Sequence, residues 1–433
     1  MSEQLRSVGI DVGTTSTQLI FSELTVENRA SAFAVPELEI RSREILYKSP
    51  VHFTPLQGQS LVDEQALRRI VAQEYGAAGF RRETVDTGAI IVTGETSRKE
   101  NARRVLSALS DFAGDFVVAA AGPDLESVLA AKGAGAVAES ERTGATLLHM
   151  DIGGGTTNLA LIRAGTVVQT GCLNVGGRLV KRDGGAITYV SPVLKGLWDP
   201  EKDSLEDLAE KLTQALEMAA GLRPPTELYH RLYTLEAVPW KIPEEAVKLS
   251  FSGGVAECIQ TDCPDGAFGD IGPLLGRRIR ESRLCRGTFR LSPEAIRATV
   301  IGAGCYSTQL SGSTVYAQNV RFPLKNLAVV EEGGPKAEGE AILAMPGLTA
   351  PSYAQVSALA EHLARGKGPV RVCLEADMAK ALGQALAARL PREAEILCLD
   401  RVKAGTGSYL DIGEPVGAAF PVVVKTLVLG STI

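Results

Sequence analysis

The chain has 433 residues, 45% of them hydrophobic and 22% charged, which suits two or three globular domains. A net charge of −6 and a pI near 5.5 argue against a nucleic-acid-binding surface, and no apolar run approaches the roughly 18 residues of a membrane span. The opening MSEQLRSVGI lacks the pattern of a signal peptide, and seven cysteines with no CxxC pair and only four histidines favour reduced core thiols over disulfides or zinc. The expectation is a soluble cytoplasmic protein.

Residues 7–11 and 17–22 read as a β-hairpin, followed by alternating strand-like sequence at 43–53 and a helix over 62–75. The strand TGAIIVTG (87–94) leads to a helix near 98–112, then a strand at 115–122 and a helix near 124–137. A second hairpin opens near 146, with β-structure at 166–174 and 186–193 and an acidic helix at 204–222. AVKLSFSGG (246–254) reads as a buried strand ending in a glycine pair, and Ser292-Pro293 starts a helix over about 293–310. Beyond 317, a Pro/Gly/charge-rich link (331–340) precedes helices near 353–365 and 375–390 and strands near 369–374, 394–399 and 421–428. Strands alternating with helices throughout predict an α/β fold.

The two hairpins are one motif written twice. VGIDVGTTSTQLIFS (8–22) and LHMDIGGGTTNLALI (148–162) align without a gap, pairing Asp11 with Asp151, Gly13 with Gly153, Thr17 with Thr157 and Leu19 with Leu159. Each is an apolar strand ending in Asp, a tight turn and a second apolar strand. Gly13 admits backbone that a Cβ would block, and Thr14, Thr15 and Ser16 add hydroxyl donors to the amides around an anion. Gly153, Gly154 and Gly155 weaken a strand and bury nothing, which points to a close approach rather than packing. Thr156 and Thr157 complete the second cradle. Asp11 and Asp151 are suited to a magnesium ion that keeps much of its water shell. Gly253 and Gly254 in FSGGVAE leave room for a flat base or ribose, and Gly302 and Gly304 in ATVIGAGCYSTQLSG are small enough for a second helix to pack closely and pivot. There is no GxxxxGK[ST], Rossmann GxGxxG or HExxH, and no Asp-x-His-x-x-Gly cobalamin motif.

Taken in order, GIDVGTTST, the 91–106 and 119–136 segments, MDIGGGTTN, SFSGGVAE and ATVIGAGCYS resemble the nucleotide-binding motifs of the actin / heat-shock-70 / sugar-kinase ATPase superfamily over about residues 7–316. The resemblance implies two RNase-H-like lobes (1–145 and 146–316) around an ATP–Mg2+ cleft, plus a smaller C-terminal α/β region (317–433). It implies Asp11 and Asp151 at the metal; Gly13, Thr14, Thr15, Gly153, Gly154, Gly155, Thr156 and Thr157 at the phosphates; and Gly253 and Gly254 by the adenosine. Glu126, 25 residues before Asp151, matches the water-orienting Glu of the chaperone branch, with Asp124 the alternative carboxylate. Across nearly the full length, REILYKSPVHFTPL, VTGETSRKENA and SYLDIGEPV…PVVVKTLVLG resemble the family of ethanolamine ammonia-lyase reactivating proteins. That family releases damaged cobalamin from an inactivated adenosylcobalamin-dependent lyase by slow, conformationally coupled ATP hydrolysis. The implied partner is ethanolamine ammonia-lyase, with no nucleic acid or membrane partner. The location is cytoplasmic, with microcompartment association left open. The competing classes are a small-molecule kinase, for which no sugar-site motif is found, and a polymerising actin-like ATPase.

Overall fold

A computed structural model describes residues 3–13, 16–28, 38–57, 61–93, 105, 109, 117–120, 123–234, 240–244, 247–306, 308–311, 314–331, 340–366, 368–404, 408–415 and 419–426. The first hairpin is β1 (Glu3–Val12) and β2 (Ser16–Asn28), continued by β3 (Leu38–Lys48) and the short β4 (His52–Phe53), β5 (Leu56–Gln57) and β6 (Leu61–Val62). Helix α1 (Glu64–Ala78) starts where the Asp63 carboxylate accepts from Ala66 N–H. It leads to β7 (Thr87–Val92) and β8 (Val117–Ala120). The sheet order is β3-β2-β1-β7-β8, antiparallel through β1 and parallel beyond it. The helix expected near 98–112 lies outside the described residues except Val105 and Leu109, which are helical and buried in this core.

Helices α2 (Pro123–Gly133) and α3 (Ala136–Thr143) replace the single helix expected over 124–137. The break falls at Gly135, whose φ of +73° is left-handed and ends helical hydrogen bonding. Then come β9 (Leu147–Ile152), β10 (Thr157–Arg163), β11 (Thr166–Leu173) and the outlying hairpin of β12 (Val180–Asp183) and β13 (Ala186–Val190). Helix α4 (Leu205–Ala219) begins with a Ser204/Asp207 capping box, followed by α5 (Glu227–Leu232), β14 (Lys248–Ser252), α6 (Gly254–Gln260), α7 (Gly272–Glu281) and β15 (Phe289–Leu291). This sheet runs β11-β10-β9-β14-β15 with the same pattern of antiparallel and parallel neighbours as the first. The duplication therefore extends from the hairpin to the whole sheet.

Helix α8 (Ala298–Tyr306) is shorter than the helix expected over 293–310. Ser292 N–H donates to Phe251 O and Ala295 O accepts from Gly253 N–H, which ties 292–295 alongside the end of β14, and a 3-10 turn at Ala295–Arg297 leads into α8. After α8 the chain enters a third sheet. Its strands are β16 (Thr308–Leu310), β17 (Tyr316–Gln318), β18 (Leu324–Glu331), β19 (Ala341–Met345), β20 (Val370–Leu374), β21 (Ile396–Leu399), β22 (Ser408–Ile412) and β23 (Pro421–Thr426), in the order β16-β23-β22-β18-β19-β20-β21-β17. Helices α9 (Tyr353–Leu363), with a Ser352/Gln355 capping box, and α10 (Ala379–Ala387) supply its crossovers. The expected link at 331–340 falls outside the described residues apart from its two ends.

Strand alternation sorts the first two sheets into a core face and a working face. Val8, Ile10 and Val12 enter one core with Leu19, Phe21 and Leu67, where Phe21 stacks on Phe80 at 4.7 Å between ring centroids. Leu148, Met150 and Ile152 enter the other with Phe251 and with Leu208, Leu212 and Leu216 of α4. The residues between them, ending in Asp11 and Asp151, therefore point to the opposite faces. On those faces α8 lies against β1 and α2 against β9–β11, and the two helices cross each other. A Cβ on Gly302 would stand 2.1 Å from Leu129 O, and one on Gly133 would stand 1.9 Å from Ala298 O. Gly302 thus packs helix on helix as expected. Gly304 instead faces the sheet, because a Cβ on Gly9 would meet its nitrogen at 2.6 Å.

Gly302→Ala is expected to destabilise the protein by about 1–3 kcal/mol in urea unfolding, since backbone cannot yield to the added methyl. Gly76→Ala, in α1 with nothing within 4 Å of the added atom, is expected to stabilise by up to about 1 kcal/mol. Equal effects would refute backbone contact as the reason for Gly302.

Candidate functional site

Both hairpins close with the same bond. Gly13 N–H donates to Ser16 O, and Gly153 N–H donates to Thr156 O, each at 2.9 Å. In the first turn Thr54 Oγ donates to Gly13 O at 2.8 Å and lies 3.1 Å from Thr17 Oγ; Thr14 and Thr15, expected at the phosphates, lie outside the described residues. In the second, Gly153 O and Gly154 O accept from Gly177 and Arg178 N–H at 3.1 and 2.6 Å. The carbonyls of this turn are thereby held inward against 176–178, while Gly155 has open space where a side chain would stand.

The two threonines of the second turn differ in placement. Thr157 is fully buried, and its hydroxyl donates to Val175 O at 2.8 Å, so it braces the turn from behind. Thr156, one residue earlier and half-buried, stays on the turn. The glycine pair also divides its work. A Cβ on Gly253, whose φ is +90°, would lie 2.3 Å from Ile152 O, so this position is spent on fitting β14 to the second hairpin. At Gly254 the nearest atom would be 3.9 Å away, which leaves the open face there.

Asp11 and Asp151 stand one residue before the ends of β1 and β9, and Asp11 senses the charge of Asp151. Burial, with Asp151's charge adding to it, pushes the Asp11 carboxyl up to about 7 against the pull of a 2.8 Å hydrogen bond from Thr93 Oγ. Burial raises Asp151 too, opposed by hydrogen bonds from Ser252 Oγ (2.5 Å) and Thr299 Oγ (3.3 Å). Directly across the strand pairs stand Gln18, opposite Asp11, and Asn158, opposite Asp151. Gln18 Oε1 and Asn158 Oδ1 are buried acceptors with no hydrogen-bond partner among the described residues. Two carboxylates and two orphaned amide oxygens make a donor-poor, oxygen-only set. Such a set fits a hydrated magnesium ion, which brings positive charge and water protons. Among the described residues no group of three or more His, Cys, Asp or Glu could hold a metal ion.

Of the two candidate water-orienting carboxylates, Asp124 Oδ1 accepts from Thr170 Oγ at 2.6 Å, which ties it to β11. Glu126 is buried in the first turn of α2. Sequence reasoning missed Thr93, Thr299, Gln18, Asn158 and Arg178. Arg178 bonds Asp270 at 3.2 Å and lies 5.7 Å from the Phe53 ring centroid, linking the second hairpin's loop to β4 of the first sheet. A signal existed for Gln18 and Asn158: both follow a matched threonine in the doubled motif.

Two identically wound sheets, each ending its first strand in an acid beside a glycine turn and joined through crossed helices, define the doubled RNase-H-like fold of the actin / heat-shock-70 / sugar-kinase class. Within that class, the chain belongs to the family described as ethanolamine utilisation protein EutA, which it matches over residues 3–341 and 335–430. Relatives named ethanolamine ammonia-lyase reactivase EutA are 39% identical in Salmonella typhimurium and 38% in Escherichia coli, each over 99% of this chain and 100% of the relative. Among solved structures, an Aquifex aeolicus Ppx/GppA family member covers 69% of this chain and 97% of its own at 11% identity and a TM-score of 0.44. EutJ of Carboxydothermus hydrogenoformans covers 69% of this chain and 88% of its own at 16% identity and a TM-score of 0.33. Among the described residues, no helix is long and apolar enough to cross a membrane.

The raised Asp11 carboxyl sets a pH dependence. The folded protein holds a proton there that the unfolded chain has released, so this contribution to stability is full below about pH 4 and is lost as pH rises through about 7. In metal-free protein the melting temperature of Asp11→Asn should therefore fall less than that of the parent between pH 5 and pH 8. Parallel pH profiles would show that Asp11 does not titrate in this range.

Proposed function

We propose that this protein is an ATP-driven reactivase that frees damaged cobalamin from inactivated, adenosylcobalamin-dependent ethanolamine ammonia-lyase. The observation that carries the reading is full-length kinship, third sheet included, with relatives named for that activity. The paired hairpins support ATP as the fuel. The turn amides of 13–16 and 153–156, with Thr14, Thr15 and Thr156, hold phosphate oxygens from opposite sides. Gly254 leaves room for the nucleoside against α6. Asp11 and Asp151 would hold magnesium, largely through water; the ion, when bound, offsets phosphate charge and the repulsion between the two carboxylates.

Glu126, buried in the first turn of α2, orients the attacking water, while Asp124 stays committed to Thr170. With the γ-phosphate in place, both turns share one ligand and the cleft is closed. Its departure removes that shared ligand and lets the lobes part at the glycine contact between α2 and α8. Work on the lyase then requires that it bind the open and closed forms with different affinity. Turnover is slow because conformational change, not chemical flux, is the output. The protein works in the cytoplasm or alongside a microcompartment, wherever its lyase resides.

The test is reactivation of cyanocobalamin-blocked ethanolamine ammonia-lyase with ATP and magnesium. Asp11→Ala and Asp151→Ala should each lower both ATP turnover and lyase rescue by about 100-fold or more. Undiminished rescue in variants that no longer hydrolyse ATP would sink the coupled cycle. A phosphorylated small molecule detected by mass spectrometry would favour a kinase instead.

A further inference from the structure

The second lobe carries a buried polar chain that the first lobe lacks. His149 precedes Asp151 by two residues on β9 and shares its face, and β14 runs parallel beside it with Ser250 opposite His149 and Ser252 opposite Asp151. Ser250 Oγ lies 3.1 Å from His149 Nδ1, and Ser252 Oγ lies 2.9 Å from His149 Nε2 and 2.5 Å from Asp151 Oδ1. His149, Ser250 and Ser252 are wholly buried. Counting protons fixes the direction of the chain. The single hydroxyl proton of Ser252 goes to the carboxylate, so Ser252 Oγ must accept from Nε2–H. Nδ1 is then an acceptor and takes the Ser250 proton.

The aligned positions in the first lobe are Gly9, Ala89 and Ile91. There α8 packs directly on Gly9, and Asp11 is held by Thr93 alone among the hydrogen bonds described. One fold thus accepts either an apolar or a polar filling at these three positions. An apolar filling avoids burying three polar side chains, so stability does not account for the polar one. Its effect falls on Asp151. Oδ1 is committed to Ser252, and Oδ2, with only the Thr299 hydroxyl at 3.3 Å, is the oxygen left to face a cation.

We propose that His149 is a positioning residue: acting through Ser252, it locks the orientation of the Asp151 carboxylate and so presets the oxygen that receives hydrated magnesium. The proposal rests on the reading of Asp151 as a metal-side carboxylate. The measurement is the magnesium concentration giving half of the ADP-dependent thermal shift, alongside ADP affinity in EDTA. His149→Met and Ser252→Ala should each raise the half-saturating magnesium about 10-fold while leaving metal-free ADP affinity within about twofold. His149→Gln, which keeps a donor toward Ser252, should recover most of the loss. The double variant should be no worse than Ser252→Ala, because the two residues act in series. If His149→Met does not fold, Ser250→Ala removes only the far end of the chain and should shift magnesium in the same direction by less.

Equal weakening of metal-free ADP binding, or a Gln variant no better than Met, would overturn the positioning role. So would an unchanged magnesium requirement in the His149 variants while Asp151→Asn raises it. If Asp151→Asn itself leaves the magnesium requirement unchanged, the reading of Asp151 falls, and that outcome is distinct from failure of the relay alone.

Discussion

Two carboxylates brought from separate sheets into one desolvated place are in tension with each other. Burial disfavours their charge, and at Asp11 the charge of Asp151 adds to it, which is why the Asp11 carboxyl stands near 7. Thr93 on one side and Ser252 with Thr299 on the other lower the cost without removing it. Among the described residues, the groups facing the carboxylates from across the strands are the neutral Gln18 and Asn158. In the proposed cycle, a cation arriving with the nucleotide would relieve that tension. In that proposed cycle, nucleotide, metal and closure form one linked equilibrium.

That linkage needs a joint that transmits closure without absorbing it. The crossing of α2 and α8 serves this purpose because backbone meets backbone at Gly133 and Gly302. Without side chains between them, the helices can turn about the contact but cannot separate without losing it. The joint also explains why the repeated halves have diverged. The first lobe keeps Gly9 small so that α8 can lie on β1, and it holds Asp11 from β7's far end through Thr93. The second lobe fills the matching space with His149, Ser250 and Ser252. Duplication preserved the sheet and the turn, while the surfaces behind the two acids took on different work.

The parts legible in sequence were those with a short-range cause. Strand–Asp–Gly–strand has one local geometry, so both hairpins, the acid pair and the glycine turns could be placed from residue order alone. What sequence hid depended on partners far along the chain. That the Thr157 hydroxyl turns back to Val175 O could not be read from residue order. Gly253 looks like room for a base until the Ile152 carbonyl fills that room. The Ser292-Pro293 start signal is overruled because β14's end claims the backbone of 292–295. Helix α7 and strand β15 escaped notice, although Pro273 marks the first turn of α7. His149 was hidden most thoroughly, since a lone histidine in an apolar strand gives no hint of two serines on another strand.

The placement of the third sheet depends on the same joint. The last turn of helix α8 is fastened to the first lobe: Ser7 Oγ donates to Gly304 O at 2.6 Å, and Arg43 of β3 donates to Cys305 O at 2.8 Å. The Arg43 guanidinium also lies 4.8 Å from the Tyr306 ring centroid. A single residue separates Tyr306 from β16, the edge strand of the third sheet, and β16 and β23 lie near β3 and β8 of the first. So short and well-anchored a connection leaves little freedom between α8 and β16. In the proposed cycle the third sheet would therefore travel with the first lobe, and the second lobe would swing. A client held by the third sheet and touched by the second lobe would feel every closure as a change in the distance between its two attachments.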